Sequence, residues 1–262
     1  MLWRMASAKE DIARQFGRMS RAYAASRTHA GGSDLERVVE LLQPRPDMRV
    51  LDVATGAGHT AVAVAPHARQ VVAIDLTPAM IERTRESAAG RGITNLLAMV
   101  MDVEALAFAG ESFGAVVSRI APHHFPNIRQ AVAEITRVLK PGGAFVVEDN
   151  SVPDDREVDS FLNDAERLRD PTHVRAYTGR EWRELLEAAG LRVAHSEVAR
   201  KQHDFAEWLD RAGCGTRTKL AMYHAFARAP EAARRHLDIR YAGARAVSFT
   251  DDKVILRAER PA

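Results

Sequence analysis

Between residues 48 and 148, short apolar runs of strand type alternate with helical patterns. Three of those runs end on an acid, at Asp52, Asp75 and Asp102. A glycine-bearing turn, Ala54-Thr-Gly56-Ala-Gly58, follows the first. Together these predict an α/β chain with a Rossmann-like, doubly wound, mostly parallel sheet, since strands that alternate with helices are joined by right-handed crossovers covering both faces. In such sheets ligands bind beyond the carboxyl ends of the strands. Residues 1–45 are expected to form an N-terminal helical lid and 46–150 the binding core. Residues 151–262 are expected to add helices and a hairpin that complete the sheet and cover the site.

Ile12, Phe16, Met19 and Tyr23 recur at helical spacing and give an amphipathic first helix. Gly31-Gly32 ends it, and Ser33-x-x-Glu36 reads as a capping box opening a second helix through Leu42. After Pro44 and Pro46 comes a strand over 49–54, then a short helix over 59–65 stopped by Pro66. The next strand, 70–75, is almost wholly apolar, as a strand buried on both faces must be. Thr77-Pro78 starts a helix, with proline at its first position, that runs to about Gly90. Strands follow over 96–101 and 113–119. Ile128, Ala131, Val132, Ile135, Val138 and Leu139 define one helical face, ended by Lys140-Pro-Gly-Gly143, and a strand over 144–148 comes next. Beyond 150 the patterns weaken. Helices are expected over 156–169, 179–189, 204–212 and 217–238, a strand over 191–198, and a terminal hairpin over 246–258 turning at Asp251-Asp252. Trp182 and Trp208 fall in these helices and are expected to pack.

The composition, 46% hydrophobic and 27% charged with a net charge of +2, is that of a globular protein and has no run of like charges to suit nucleic acid. Cys214 is the only cysteine, which excludes an intrachain disulfide and a cysteine zinc cage. No apolar run approaches a membrane span, and the N-terminus lacks the apolar stretch of a signal peptide. A cytoplasmic enzyme without a bound metal is the expectation, and a homodimer stays open.

The glycine turn is not the dinucleotide fingerprint G-x-G-x-x-G. Gly56 and Gly58 allow positive φ and a close approach of backbone to ligand. A carboxylate at Asp52, just ahead of them, suits a cationic ligand better than a phosphate. Asp75 stands where an acid accepts hydrogen bonds from a ribose. Asp102 is placed to accept from an adenine amino group, with Val103 offering a backbone N–H.

The order Val50-Leu-Asp-Val-Ala-Thr-Gly-Ala-Gly58, Ala73-Ile-Asp-Leu-Thr-Pro-Ala-Met80, Met101-Asp-Val-Glu-Ala-Leu-Ala-Phe108 and Leu139-Lys-Pro-Gly-Gly143 resembles the class I S-adenosylmethionine-dependent methyltransferases. Within them it is similar to the UbiE-like small-molecule group. Asn150-Ser-Val-Pro153, His123-His-Phe125 and His173-x-Arg175-Ala176 are further similar to a YcgJ-like bacterial subgroup. The resemblance covers residues 10–150 most strongly. It implies S-adenosyl-L-methionine as methyl donor and S-adenosyl-L-homocysteine as product. Asp52, Ala54, Thr55, Gly56 and Gly58 would lie toward the methionine part, and Asp75 with Leu76 at the ribose. Asp102 and Val103 would hold adenine, with Ser118 near the sulfonium and Tyr23 in a lid over the donor. Ala54 departs from the glycine of many relatives, a mild change if φ there is negative.

The acceptor is expected to be a small molecule methylated at O, N or C. His124 is the candidate general base, since histidine titrates near working pH, and His123 and His29 are candidate acceptor contacts. Asp170, His173, Arg175 and Tyr177 form a polar cluster that either recognises an anionic acceptor or ties its own loop together. Three other readings make different predictions. A nicotinamide-dependent oxidoreductase predicts a fingerprint and a Tyr/Lys pair that are missing. A nucleic-acid methyltransferase predicts Asn/Asp-Pro-Pro-Tyr where Ser118-Arg-Ile-Ala-Pro-His123 stands. An S-adenosylmethionine-binding enzyme of other chemistry remains open.

Overall fold

The structure, a computed structural model, describes residues 2–25 and 33–262. Helices α1 (Leu2–Ala25) and α2 (Ser33–Leu42) come first. The core then runs β1 (Arg49–Val53), α3 (His59–Val64), β2 (Gln70–Asp75), α4 (Pro78–Ala89), β3 (Leu96–Val100) and β4 (Phe113–Arg119). One 3-10 turn, Ala65–His67, follows α3, and another, Pro122–His124, precedes α5 (Ile128–Val138) and β5 (Leu139–Ser151). The C-terminal part adds α6 (Arg156–Arg169), α7 (Gly179–Ala188) and β6 (Arg192–Asp204), then α8 (Phe205–Arg211), α9 (Thr216–Ala227) and α10 (Glu231–His236). It closes on β7 (Arg240–Ala242) and β8 (Arg245–Glu259).

The sheet order is β3-β2-β1-β4-β5-β8-β6, with β7 paired to β8. The β1–β5 ladders are parallel, and β8 runs antiparallel between β5 and β6. Strand order reverses at β1, which pairs with β2 on one side and β4 on the other. The crevice outside the carboxyl ends of β1 and β4 is therefore the place for a ligand.

Val50, Leu51 and Val53 of β1 are fully buried because both sheet faces are covered. On one face Ile135, Trp182 and Leu186 pack on Val72 and Phe145; on the other Val38, Leu42 and Val64 pack on Val50 and Val117. A third apolar cluster joins α6, α8, α9 and β8 around Phe205, Trp208, Phe226 and Phe249. Its rings meet edge-on, at 4.6 Å for Phe205–Phe226 and 4.8 Å for Trp208–Phe249, contacts worth about 0.5–1.5 kcal/mol each beyond area burial. Both Trp182 and Trp208 pack as expected.

The expected elements of residues 49–148 appear within a residue or two, except that β5 is longer at both ends. The C-terminal part needs correction. The 217–238 helix is two helices, because Pro230 breaks the ladder and serves as the cap of α10. No hairpin turns at Asp251-Asp252. The turn is at Gly243 (φ 61°), and both aspartates lie within β8. Their burial is tolerated because partners meet them there: Lys253 at 2.8 Å from Asp251, and His236 at 2.9 Å from Asp252.

Candidate active site

Asp52, the penultimate residue of β1, is almost wholly buried beneath the glycine loop. It accepts a hydrogen bond from Thr55 Oγ1 at 2.6 Å, and burial raises its carboxyl to about 7. The loop is held from three further sides. Thr55 N donates to the Ile74 carbonyl at 2.9 Å, Gly56 N to Asp75 Oδ2 at 2.9 Å, and Thr84 Oγ1 to the Gly56 carbonyl at 2.9 Å. Gly58 has φ 82°, and a Cβ there would lie 2.7 Å from Thr84 Cγ2. Only glycine fits.

Above this loop lies a cavity of about 990 Å³, counting its open mouth. Ala54, Thr55 and Gly56 line it from β1, Asp75 and Leu76 from β2, and Asp102 and Val103 from the end of β3. Asp75 Oδ1 accepts from Thr77 N at 2.8 Å, and burial raises its carboxyl above the usual range. Asp102 Oδ1 accepts from Glu104 N at 2.9 Å, while Lys9 Nζ reaches Asp102 Oδ2 at 2.6 Å and Glu104 Oε2 at 2.5 Å. Helix α1 is thereby latched across the cavity, with Ile12 and Phe16 in its wall. Arg119 at the end of β4 donates to Asp34 at 2.8 Å and to Thr60 at 3.2 Å, and stands 3.8 Å from Glu148.

Ile120 follows with φ 53°. A β-branched residue in the left-handed region is strained, and such strain gathers at functional sites. The hydrogen bond from Ile120 N to the Glu148 carbonyl, 2.7 Å, helps hold it.

A second cavity, about 690 Å³ counting its mouth, adjoins the first. Phe16, Ile120 and His124 are walls of both. His124 Nδ1 lies 3.0 Å from the Thr172 carbonyl, which can only accept, so Nδ1 is the donor in that contact. His123 lines the second cavity alone. Its Nδ1 is 2.5 Å from Asp149 Oδ1, and its ring lies 4.1 Å from that of His124, tilted by 45°. Burial pushes the Asp149 carboxyl up to about 7 and holds His123 well below the usual histidine range.

Of the residues expected to touch the donor, Ala54, Thr55, Gly56, Asp75, Leu76, Asp102 and Val103 come together in the larger cavity. Three do not. Asp52 is sealed under the loop it stabilises, Gly58 packs on Thr84, and Ser118, fully buried, donates to the Val53 carbonyl at 3.2 Å. Ala54 has φ 53°, not the negative value anticipated. Thr77 forms no side-chain cap; Asp75 receives its backbone N–H instead. The two alternatives for the cluster at 170–177 are separated by its partners. Arg175 is held by Asp159 and Glu181, both at 2.9 Å, and His173 by Asn163 at 2.9 Å, while Tyr177 packs on Trp182. None of the three lines either cavity. These contacts tie the loop to α6 and α7, while Asp170 lines the smaller cavity. Tyr23 falls in α1, and His29 lies outside the described residues. Lys9, Arg119 and Ile120 were missed, because a latch, a buried arginine and a strained backbone leave no local sequence signal.

A mostly parallel sheet whose order reverses at β1, with a glycine loop and two further acids lining a cleft beyond the carboxyl ends of its strands, has the architecture of a class I methyltransferase. Residues 51–147 match a family model described as a methyltransferase domain. The chain is 34% identical over 198 residues to YcgJ of Bacillus subtilis, an uncharacterised methyltransferase, spanning 76% of this chain and 78% of that one. A solved structure from Bacillus halodurans, designated a methyltransferase, superposes with a TM-score of 0.86 at 35% identity, covering 88% of this chain and all of its own. The UbiE C-methyltransferase of ubiquinone and menaquinone biosynthesis from Zymomonas mobilis is 36% identical over 107 residues, 41% of this chain and 44% of that one. The chain belongs to the class I S-adenosylmethionine-dependent methyltransferases. Among the described residues no helix is long and apolar enough to cross a membrane.

Proposed function

We propose that the larger cavity holds S-adenosylmethionine and that a small-molecule acceptor enters the adjoining one. The residues fit the donor. Asp75, Asp102 and Glu104 against Lys9 and Arg119 leave the lining on balance acidic, as a sulfonium cation requires, and Leu76, Met80, Val103 and Phe125 supply apolar walls for a purine. When bound, the donor would supply a methyl group already activated on sulfur, with S-adenosylhomocysteine as the leaving group. The protein's contribution is then mainly alignment, which can lower a barrier by about 7–11 kcal/mol.

His124 is the group we assign as general base, because it alone among the described histidines stands in the wall common to both cavities, and its Nδ1 is engaged by the Thr172 carbonyl, which leaves Nε2 for the acceptor. His123, backed by Asp149, keeps the pair of rings in place. The carrying observation is the shared wall of Phe16, Ile120 and His124. The test is calorimetric titration with S-adenosylhomocysteine. We expect binding by the wild type and a loss of at least tenfold in Asp75→Ala with its melting profile retained. No binding to the wild type overturns the reading. A screen of small metabolites with labelled donor then identifies the acceptor.

A further inference from the structure

The two cavities differ in fixed charge. Arg169, Lys201, Arg211 and Lys253 line the smaller one against Glu166, Asp170 and Asp251, so cations exceed carboxylates there, the reverse of the larger cavity. Each carboxylate is already engaged. Glu166 pairs with Arg169 at 2.8 Å, Asp251 with Lys253 at 2.8 Å, and Asp170 accepts from Thr172 Oγ1 at 2.6 Å and Thr172 N at 2.9 Å. Lys201 differs. Its nearest carboxylate oxygen among the described residues, Asp34 Oδ2, is 3.7 Å away and is the same oxygen that Arg119 holds at 2.8 Å. The ammonium is thus left with surplus hydrogen-bonding capacity, since it carries three donors. Arg211, which donates to His203 Nδ1 at 3.2 Å, is a neighbouring wall of the same cavity.

Apolar surface completes the pocket, from Phe16, Ile120 and Trp208. A ligand matched to this lining has an apolar body and an anionic end. We infer that the smaller cavity selects a methyl acceptor carrying an anionic oxygen group, a carboxylate or a phosphate, held by Lys201 with Arg211 at its side while the rest of the molecule faces the histidines. This rests on the assignment of that cavity to the acceptor. The residues differ from the Arg175 cluster that the sequence suggested, whose arginine is consumed by Asp159 and Glu181.

Benzoate, phenyl phosphate and benzyl alcohol are suitable probes, sharing a ring and differing in the end group. Their binding to the full chain is measured by ligand-observed NMR with and without S-adenosylhomocysteine, and the nucleotide's own affinity is measured in parallel. At least one of the two anions should bind ten or more times tighter than benzyl alcohol, the better one showing which anion is preferred. Lys201→Gln and Arg211→Gln should each remove most of that preference while S-adenosylhomocysteine affinity is kept. Equal binding of benzyl alcohol and both anions overturns the inference, as does an undiminished preference in a folded Lys201→Gln protein. Anion preference that depends on Lys201 without any nucleotide binding supports the anion pocket and defeats the donor assignment instead.

Discussion

His123 Nδ1 stands 2.5 Å from Asp149 Oδ1, and both groups are buried at the end of the sheet where β4 and β5 meet. The pair fixes the ring of His123, which in turn packs at a tilt against that of His124. If His124 is the base, His124→Ala lowers kcat by about 10²–10⁴-fold. Asp149→Asn acts only through position and costs less than that. Single-turnover transfer from labelled donor, with the acceptor found by screening, separates the two. A larger loss in Asp149→Asn moves the base to His123.

The glycine loop makes a paired prediction. Ala54 and Gly58 both have positive φ, but only Gly58 is also sterically closed. Gly58→Ala should destabilise by about 2 kcal/mol or more, since both backbone and contact forbid a Cβ. Ala54→Gly should be neutral or stabilising by up to about 1 kcal/mol, as relief of left-handed strain offsets the entropy of glycine. Urea denaturation reads both.

Glu148 is fully buried, and neither carboxylate oxygen accepts a hydrogen bond among the described residues. Burial raises it to about 7, against 4.5 ordinarily. Its folded value lies above its unfolded one, so its contribution is full below about 4.5 and is lost as pH rises to about 7. Each tenfold in proton affinity is worth about 1.4 kcal/mol. Glu148→Gln should therefore gain stability over the wild type at pH 8 and lose that advantage at pH 5, by thermal melts at both.

Lys9 latches α1 to Asp102 and Glu104. Lys9 and Asp102 are partly exposed but Glu104 is buried, so loss of the ammonium should cost the whole protein about 1–3 kcal/mol. Its effect is local. Lys9→Met should raise hydrogen exchange through α1 with the exchange of β1 and β4 unchanged.

Much of the core was legible because its signals are local. A strand buried on both faces must be apolar along its length, as Gln70–Asp75 is, and a close-approach loop must carry glycine, as Gly58 does. The three acids at strand ends were readable for the same reason. What their side chains do was not. Asp52 was expected beside the donor and is instead sealed beneath the loop, because its partner Thr55 folds back over it. Asp251-Asp252 read as a turn, yet lies inside β8 because Lys253 and His236 reach it. By itself the sequence determined the alternating fold, the glycine loop and the methyltransferase family. Only the tertiary structure decided which charges are spent, that Lys9 closes over Asp102, and that Phe16, Ile120 and His124 divide two cavities. Period and turn chemistry act between neighbours along the chain, whereas charge pairing and cavity walls join residues that only folding brings together.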